Sequence, residues 1–242
     1  MKRLWLALAA GSLAASAAAQ APDIQDADAL KAQRDLYRQV WKKQPDRPAS
    51  VTIPLYGRIM RIDMPVGFLP AYKVQSGGEF LFEFTQGEET VESWKRLVTI
   101  RSMAGAGAST FDSEYLADSI FRPRGCRVEP IYRILEKKDL GGGLSSLSLV
   151  TACGGAAGGL GAEKAGPVGE IDFIRMLRDG ENLYSYAMAV RTRRFTAASP
   201  PISDAQGLAL LAAFGDVLLC RPGAQEGPCR DVALLERMRS GR

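Results

Sequence analysis

Residues 171–193 read IDFIRMLRDGENLYSYAMAVRTR. Two apolar-rich runs flank Asp179-Gly180-Glu181-Asn182, a cluster of turn-forming residues. The pattern predicts a β-hairpin of Ile171–Arg178 and Leu183–Arg193. Tyr184, Tyr186, Met188 and Val190 alternate along the second run. They form an aromatic and aliphatic ladder on one side of the hairpin.

Upstream, Ile131–Lys137 and Leu144–Cys153 read as two more strands around Asp139-Leu140-Gly141-Gly142-Gly143. Leu147, Leu149, Thr151 and Cys153 share one face by period two. GGAAGGLGAEKAGPVG, which follows Cys153, reads as a loop. Further upstream, VTIPLYGRIMRIDMP predicts one or two strands bent at Gly57, with Pro54 demanding an edge position. GFLPAYKVQ, GEFLFEFTQG and LVTIRS add strands; Phe80, Phe82 and Phe84 alternate with Leu81 and Glu83. Thr90–Trp94 predicts a single helical turn.

Three helices complete the order. Residues 26–44 start at Asp26 or Asp28 and stop at Pro45, with Ala32, Leu36 and Val40 as the apolar stripe, extended by Tyr37 and Trp41. Lys31, Arg34, Arg38 and Lys42 form the opposite, solvated face. A second helix opens with Ser109 and Asp112 and ends at Arg122-Pro123, its inner face being Phe111, Tyr115, Leu116 and Ile120. A third runs from Ser203 to about Leu219, capped by Ser203 and Gln206. Its stripe is Leu208, Leu211, Ala212, Gly215, Leu218 and Leu219, with Ala212 and Gly215 allowing close approach to a sheet. Strands joined by short turns, with helices between groups of them, predict an α+β fold: an antiparallel β-sheet flanked by helices.

The first residues, MKRLWLALAAGSLAASAAAQ, have the form of a signal peptide. Lys2 and Arg3 make the basic start, Leu4–Ala10 the apolar core, and Ala17-Ala18-Ala19 the cleavage site. The predicted organisation is a signal peptide at 1–19, a helix and linker at 20–48, one α+β domain at 49–230 and a tail at 231–242. Export places the mature chain in the periplasm, without a transmembrane segment. Losing Lys2 and Arg3 lowers the formal charge of +4 by two. A nearly balanced chain gives no reason to expect a nucleic-acid partner.

Four cysteines, Cys126, Cys153, Cys220 and Cys229, stand in the 242-residue chain. Their spacing contains no zinc knuckle and no C-x-x-C redox motif. An even number in an oxidising space predicts two disulfides, with three possible connectivities. The loop CRPGAQEGPC, bounded by Pro-Gly and Gly-Pro, favours Cys220–Cys229. Cys126–Cys153 is then the second pair.

The chain has no histidine. That removes Ser-His-Asp and Cys-His catalysis and imidazole ligation of zinc or haem. The glycines at 154–161 lack the lysine spacing of a phosphate loop. Glu88-Glu89 and Asp23/Asp26/Asp28 are turn or terminal acids without a visible cleft. No catalytic, cofactor-binding or metal residues are predicted. Trp94, Lys95 and Arg96, with Arg191, Arg193 and Arg194, are the candidate interaction surface; burial of Trp94 against the sheet is the simpler expectation.

The stretch FLFEFTQGEETVESWKRLVTI carries G-E-x-T-x-x-x-W as Gly87, Glu88, Thr90 and Trp94. With the cysteine-to-cysteine hairpin and closing C-x8-C, it resembles a group of secreted bacterial proteins of unknown function. The element order also resembles the PsbP-like α/β/α sandwich, over most of residues 50–230, departing in the glycine-rich loop after Cys153. That fold class works mainly through assembly factors and binding subunits. The resemblance implies a non-catalytic accessory or binding protein with a protein partner at the envelope. A hydrolase using carboxylates or a Ser-Lys pair, and a peripheral membrane binder using the basic helix, are the alternatives.

Overall fold

The computed structural model describes residues 23–24, 27–126, 128–155, 168–223 and 229. The expected signal peptide (1–19), most of the glycine-rich loop and the tail (231–242) lie outside the described residues.

The strands in chain order are β1 (Asp23–Ile24), β2 (Ala49–Leu55), β3 (Arg58–Met64), β4 (Phe68–Ser76), β5 (Glu79–Gln86), β6 (Arg96–Met103), β7 (Ile131–Gly141), β8 (Leu144–Cys153), β9 (Val168–Arg178), β10 (Leu183–Arg193) and β11 (Leu218–Cys220). The helices are α1 (Ala27–Lys43), α2 (Ser113–Phe121) and α3 (Asp204–Ala212). Eight strands form one sheet in the order β1-β4-β5-β6-β10-β9-β8-β7, and β11-β3-β2 form a second. Every pairing is antiparallel. The expected α+β class holds, and Pro54 does lie on an edge strand, β2.

Topology explains the position of α2. The chain leaves β6 in mid-sheet, passes through α2 to the far edge at β7, and returns strand by strand until β10 pairs with β6. Asp112 caps α2 by accepting from the Tyr115 backbone N–H. Arg178 of β9 secures the approach to α2. It donates to the carbonyls of Gly107 at 2.9 Å and Phe111 at 2.8 Å, and to that of Ser109.

One sheet face holds the main core. Phe80, Phe82 and Phe84 of β5, Ile171 and Phe173 of β9, and the Tyr184–Tyr186–Met188 ladder of β10 meet Met60, Ile62 and Met64 from the small sheet. Trp41 of α1 and Leu211 of α3 close this layer. Burying such side chains is the dominant favourable term in folding. The small sheet is clamped at one end: Arg58 Nε donates to Asp179 Oδ2 at 2.7 Å, and the Tyr184 hydroxyl donates to the Tyr56 carbonyl at 2.7 Å. On the opposite face α2 covers β8 and β9 with Leu116 and Ala117 over Leu147, Leu149, Ile174 and Met176.

Several expectations are corrected. The inner face of α1 is Leu30, Tyr37, Val40 and Trp41, whereas Leu36 is 57% exposed. The stripe is rotated because Arg34 also turns inward, donating to the carbonyls of Pro70 at 3.0 Å and Gly87 at 2.7 Å. Trp41 of α1 packs into the main core. Phe111 and Tyr115 are 54% and 55% exposed and stack on each other at 4.5 Å instead of lining the inner face of α2. The third helix stops at Ala212, because Gly215 takes φ 65° and residues 218–220 extend as β11 along β3. Gly215 does approach a sheet closely, since a β-carbon there would lie 2.5 Å from Asp63 Oδ2 of β3, and α3 adds a second close approach at Gly207, where a β-carbon would meet the Phe173 ring at 1.8 Å.

Both disulfides join the expected partners, Cys126–Cys153 and Cys220–Cys229, with Cα atoms 5.6 and 5.4 Å apart. Among the described residues no helix is long and apolar enough to cross a membrane.

Candidate binding groove

The face that carries α2 is only partly covered. A nine-residue helix spans about 13 Å. It lies over β8 and β9 and ends at Phe121. Beyond it the second face of β10 presents Ser185, Ala187 and Ala189. These small side chains leave a trough, a groove of about 400 Å³. Leu81, Leu97 and Ile174 supply apolar walls, and Phe121 closes the end beneath α2.

The wall at Phe121 is fixed in place. Thr151 Oγ1 donates to the Phe121 carbonyl at 3.0 Å. The Cys126–Cys153 disulfide anchors the chain five residues further on to the end of β8. The Cys153 register position is opposite Glu170, so the disulfide also lies at one end of the groove.

Three carboxylates face this trough: Glu83 of β5 and Glu170 and Asp172 of β9. Each alternates with the aromatic or aliphatic residues that fill the core on the other face. Burial pushes all three carboxyl groups upward. Asp172 is raised well above the ordinary range by desolvation, with the neighbouring Glu170 charge adding to it. Desolvation also raises Glu170, against the opposing effect of Arg191. Glu83 is raised by desolvation and then by the charge of Glu170. Glu79 lies at the rim, 2.6 Å from Nε of Arg101. Among the described residues no three histidine, cysteine or carboxylate side chains are close enough together to hold a metal ion.

The predicted surface residues separate into two sets. Trp94 is 5% exposed and packs with Leu97 and Ala189, so it is no part of an exposed patch. Arg191 is drawn in with it. Its guanidinium lies 4.0 Å from the Trp94 ring centroid, its Nη1 donates to the Glu92 carbonyl at 3.0 Å, and its Nε lies 3.7 Å from Glu170. Lys95, Arg96, Arg193 and Arg194 are exposed and do not enter the groove. Trp94 and Arg191 are therefore brought together as a buttress behind Glu170.

The acids singled out from sequence take other roles. Glu88 pairs with Arg38 at 2.6 Å, and Glu89 accepts from the Lys95 backbone N–H at 3.0 Å. Asp26 lies outside the described residues, as does the side chain of Asp23. Glu83, Glu170 and Asp172 were not singled out. Their signal is acids on one alternating face of strands whose other face is aromatic or aliphatic, Glu79 and Glu83 on β5 and Glu170 and Asp172 on β9.

No protein-family model matches the chain, and no curated protein matches it.

Proposed function

We propose that the protein is an exported, non-catalytic binding protein of the periplasm that acts through a protein partner at the cell envelope. The groove takes a partly apolar, cationic segment of that partner. The carrying observation is the trough over β5, β6, β10 and β9. Its floor is small and apolar, and Glu79, Glu83, Glu170, Asp172 and Arg101 border it, with Arg191 behind Glu170. Three of these carboxyl groups hold their protons more strongly than usual because burial penalises their charge. A cation entering the groove would offset that penalty and favour the charged form. The two disulfides and the signal-like start support export. The element order, with α2 on one sheet face and α1 and α3 on the other, supports kinship with the PsbP-like sandwich.

The test is site-specific photo-crosslinking in exporting cells, with the photoreactive residue at Thr99 in the groove and at Lys42 on the exposed face of α1 as control. A discrete adduct at Thr99 alone, lost when Ala187→Trp fills the trough, is the expected result. Equal labelling at both positions, or an adduct indifferent to Ala187→Trp, counts against the reading.

One observation favours a second reading, a carboxylate-based hydrolase. Glu170 and Asp172 are neighbouring acids at a groove, and Asp172 retains its proton well above the ordinary range. That is the condition a general acid needs. Turnover of an ester, peptide or glycoside that disappears in Asp172→Asn would establish it. Of the expected basic face, Arg34 and Arg38 are tied to the β5–β6 loop while Lys31 and Lys42 stay exposed, and liposome sedimentation with and without anionic lipid tests the membrane alternative.

A further inference from the structure

The core face of β9 contains one residue out of pattern. Ile171, Phe173 and Leu177 are buried there, yet Arg175 occupies the position between Phe173 and Leu177. Its neighbours across the strands are Ser148 of β8 and Tyr186 of β10, both fully buried. Nε donates to Ser148 Oγ at 3.0 Å. The two terminal nitrogens are held less closely: Nη1 is 3.4 Å from the Tyr186 hydroxyl and Nη2 is 3.4 Å from Glu136 Oε2. A guanidinium has five N–H donors in a planar fork, so this one retains donor capacity.

Arg175 lines a cleft of about 670 Å³. On one side stands the segment from Gly215 to Leu218 that leads into β11, and on the other the β7–β8 hairpin. That volume is in the range of small-molecule sites. Leu177, Val217 and Leu218 make part of the lining apolar, and Leu140, half exposed, extends it to the mouth. Arg61 and Lys138 add two cations from opposite layers. The carboxylates present are differently engaged or placed. Asp63 accepts from Ser50 at 2.7 Å, Glu136 is 2.8 Å from Lys138, and Asp216 is exposed.

We propose that this cleft is a second binding site, separate from the groove, for an amphiphilic organic anion. A carboxylate head sits on Arg175 and an aliphatic body lies over Leu177, Val217 and Leu140. The planar fork matches an oxyanion bidentately, and the apolar lining of Leu140, Leu177, Val217 and Leu218 selects an anion that carries an aliphatic body over inorganic phosphate.

The experiment titrates the mature chain, both disulfides intact, with octanoate, octanol and inorganic phosphate, by calorimetry and by the Nε–Hε resonance of Arg175. Octanoate is expected to saturate one site and move that resonance. Octanol and phosphate should each bind at least about tenfold more weakly, the scale of one charge-assisted hydrogen bond. Arg175→Gln should lose binding by a similar factor. Should that variant fold poorly, Lys138→Gln at the exposed rim should still weaken octanoate about threefold by removing one nearby cation. Ala187→Trp, which fills the other groove, should leave it unchanged. Equal binding of octanol, phosphate binding as tight as octanoate, an unmoved Arg175 resonance, or no binding at all would overturn the proposal.

Discussion

Arg191 stacks on Trp94, with its Cζ 4.0 Å from the ring centroid, while its Nε stands 3.7 Å from Glu170. This contact joins the loop before β6 to the acidic end of the groove. Cation–π contacts that are partly desolvated contribute about 1–2 kcal/mol. Arg191→Ala should therefore destabilise the domain by roughly that amount, and it should also raise the Glu170 carboxyl further by removing its nearest cation. Urea melts give the first effect; a carboxyl-resolved NMR titration gives the second.

The raised carboxyls make stability depend on pH in a defined direction. Glu83, Glu170 and Asp172 bind protons more tightly folded than unfolded. Their contribution is fully present below the unfolded carboxylate range near pH 4 and is lost as pH rises through their folded values. Asp179 works the other way: hydrogen bonds from the Asn182 and Glu181 backbone, together with Arg58, hold its carboxyl low. Its contribution is present above the unfolded value and lost as pH falls through the folded one. Asp172→Asn should flatten the fall in stability that begins above about pH 4 and leave the acid limb set by Asp179 intact. Denaturant midpoints across a pH series check this, and an unchanged slope above about pH 4 would contradict it.

The clamp between the sheets depends on Arg58 and Asp179. The Asp179 side chain is 2% exposed, so removing its guanidinium partner leaves a buried carboxylate held by the Glu181 and Asn182 backbone N–H groups and, at 3.4 Å, the Tyr184 hydroxyl. Arg58→Ala should cost about 3 kcal/mol. Arg38→Ala, whose partner Glu88 is solvent-exposed, should leave stability close to wild type. Paired chemical denaturation curves measure the contrast.

Gly207 is the point where α3 meets the sheet. A β-carbon there would lie 1.8 Å from Cε1 of Phe173, a side chain fully buried in the core. Overpacking of this kind costs about 1–3 kcal/mol. Gly207→Ala should fall in that range by thermal or urea unfolding, although alanine is the better helix former.

The disulfides should differ in consequence. Loop closure over separations of 27 and 9 residues gives about 3.5 and 2.7 kcal/mol respectively. Replacing Cys126 and Cys153 with serine should in addition loosen Phe121 at the groove, seen as faster amide exchange in α2. Replacing Cys220 and Cys229 should leave α2 exchange near wild type.

Much of the fold was legible because period-two alternation is direct. The β8 and β10 spans, the Asp179–Asn182 turn and both cysteine pairs follow from local pattern. The failures share a cause. Leu36, Phe111 and Tyr115 were assigned inward on hydrophobicity, but which side of a short helix turns inward is set by tertiary partners such as the Pro70 carbonyl for Arg34. Leu218–Cys220 continue a helical apolar pattern, yet β3 offers an edge, and Gly215 releases the chain to pair with it. The groove was hidden for a related reason. Glu83 lies in β5 and Glu170 and Asp172 in β9, far apart in sequence, and only the β6–β10 pairing and the short reach of α2 place them on one open face.

Photo-crosslinking from Thr99 across a pH series tests the groove as the partner-binding face. A cationic segment prefers the charged carboxylates, so adduct yield should rise as pH passes upward through the raised values of Glu83, Glu170 and Asp172. It should rise less steeply in Asp172→Asn, where Glu83 and Glu170 still titrate, and it should vanish in Ala187→Trp. An adduct yield that falls with rising pH, or that survives Ala187→Trp, would contradict the account.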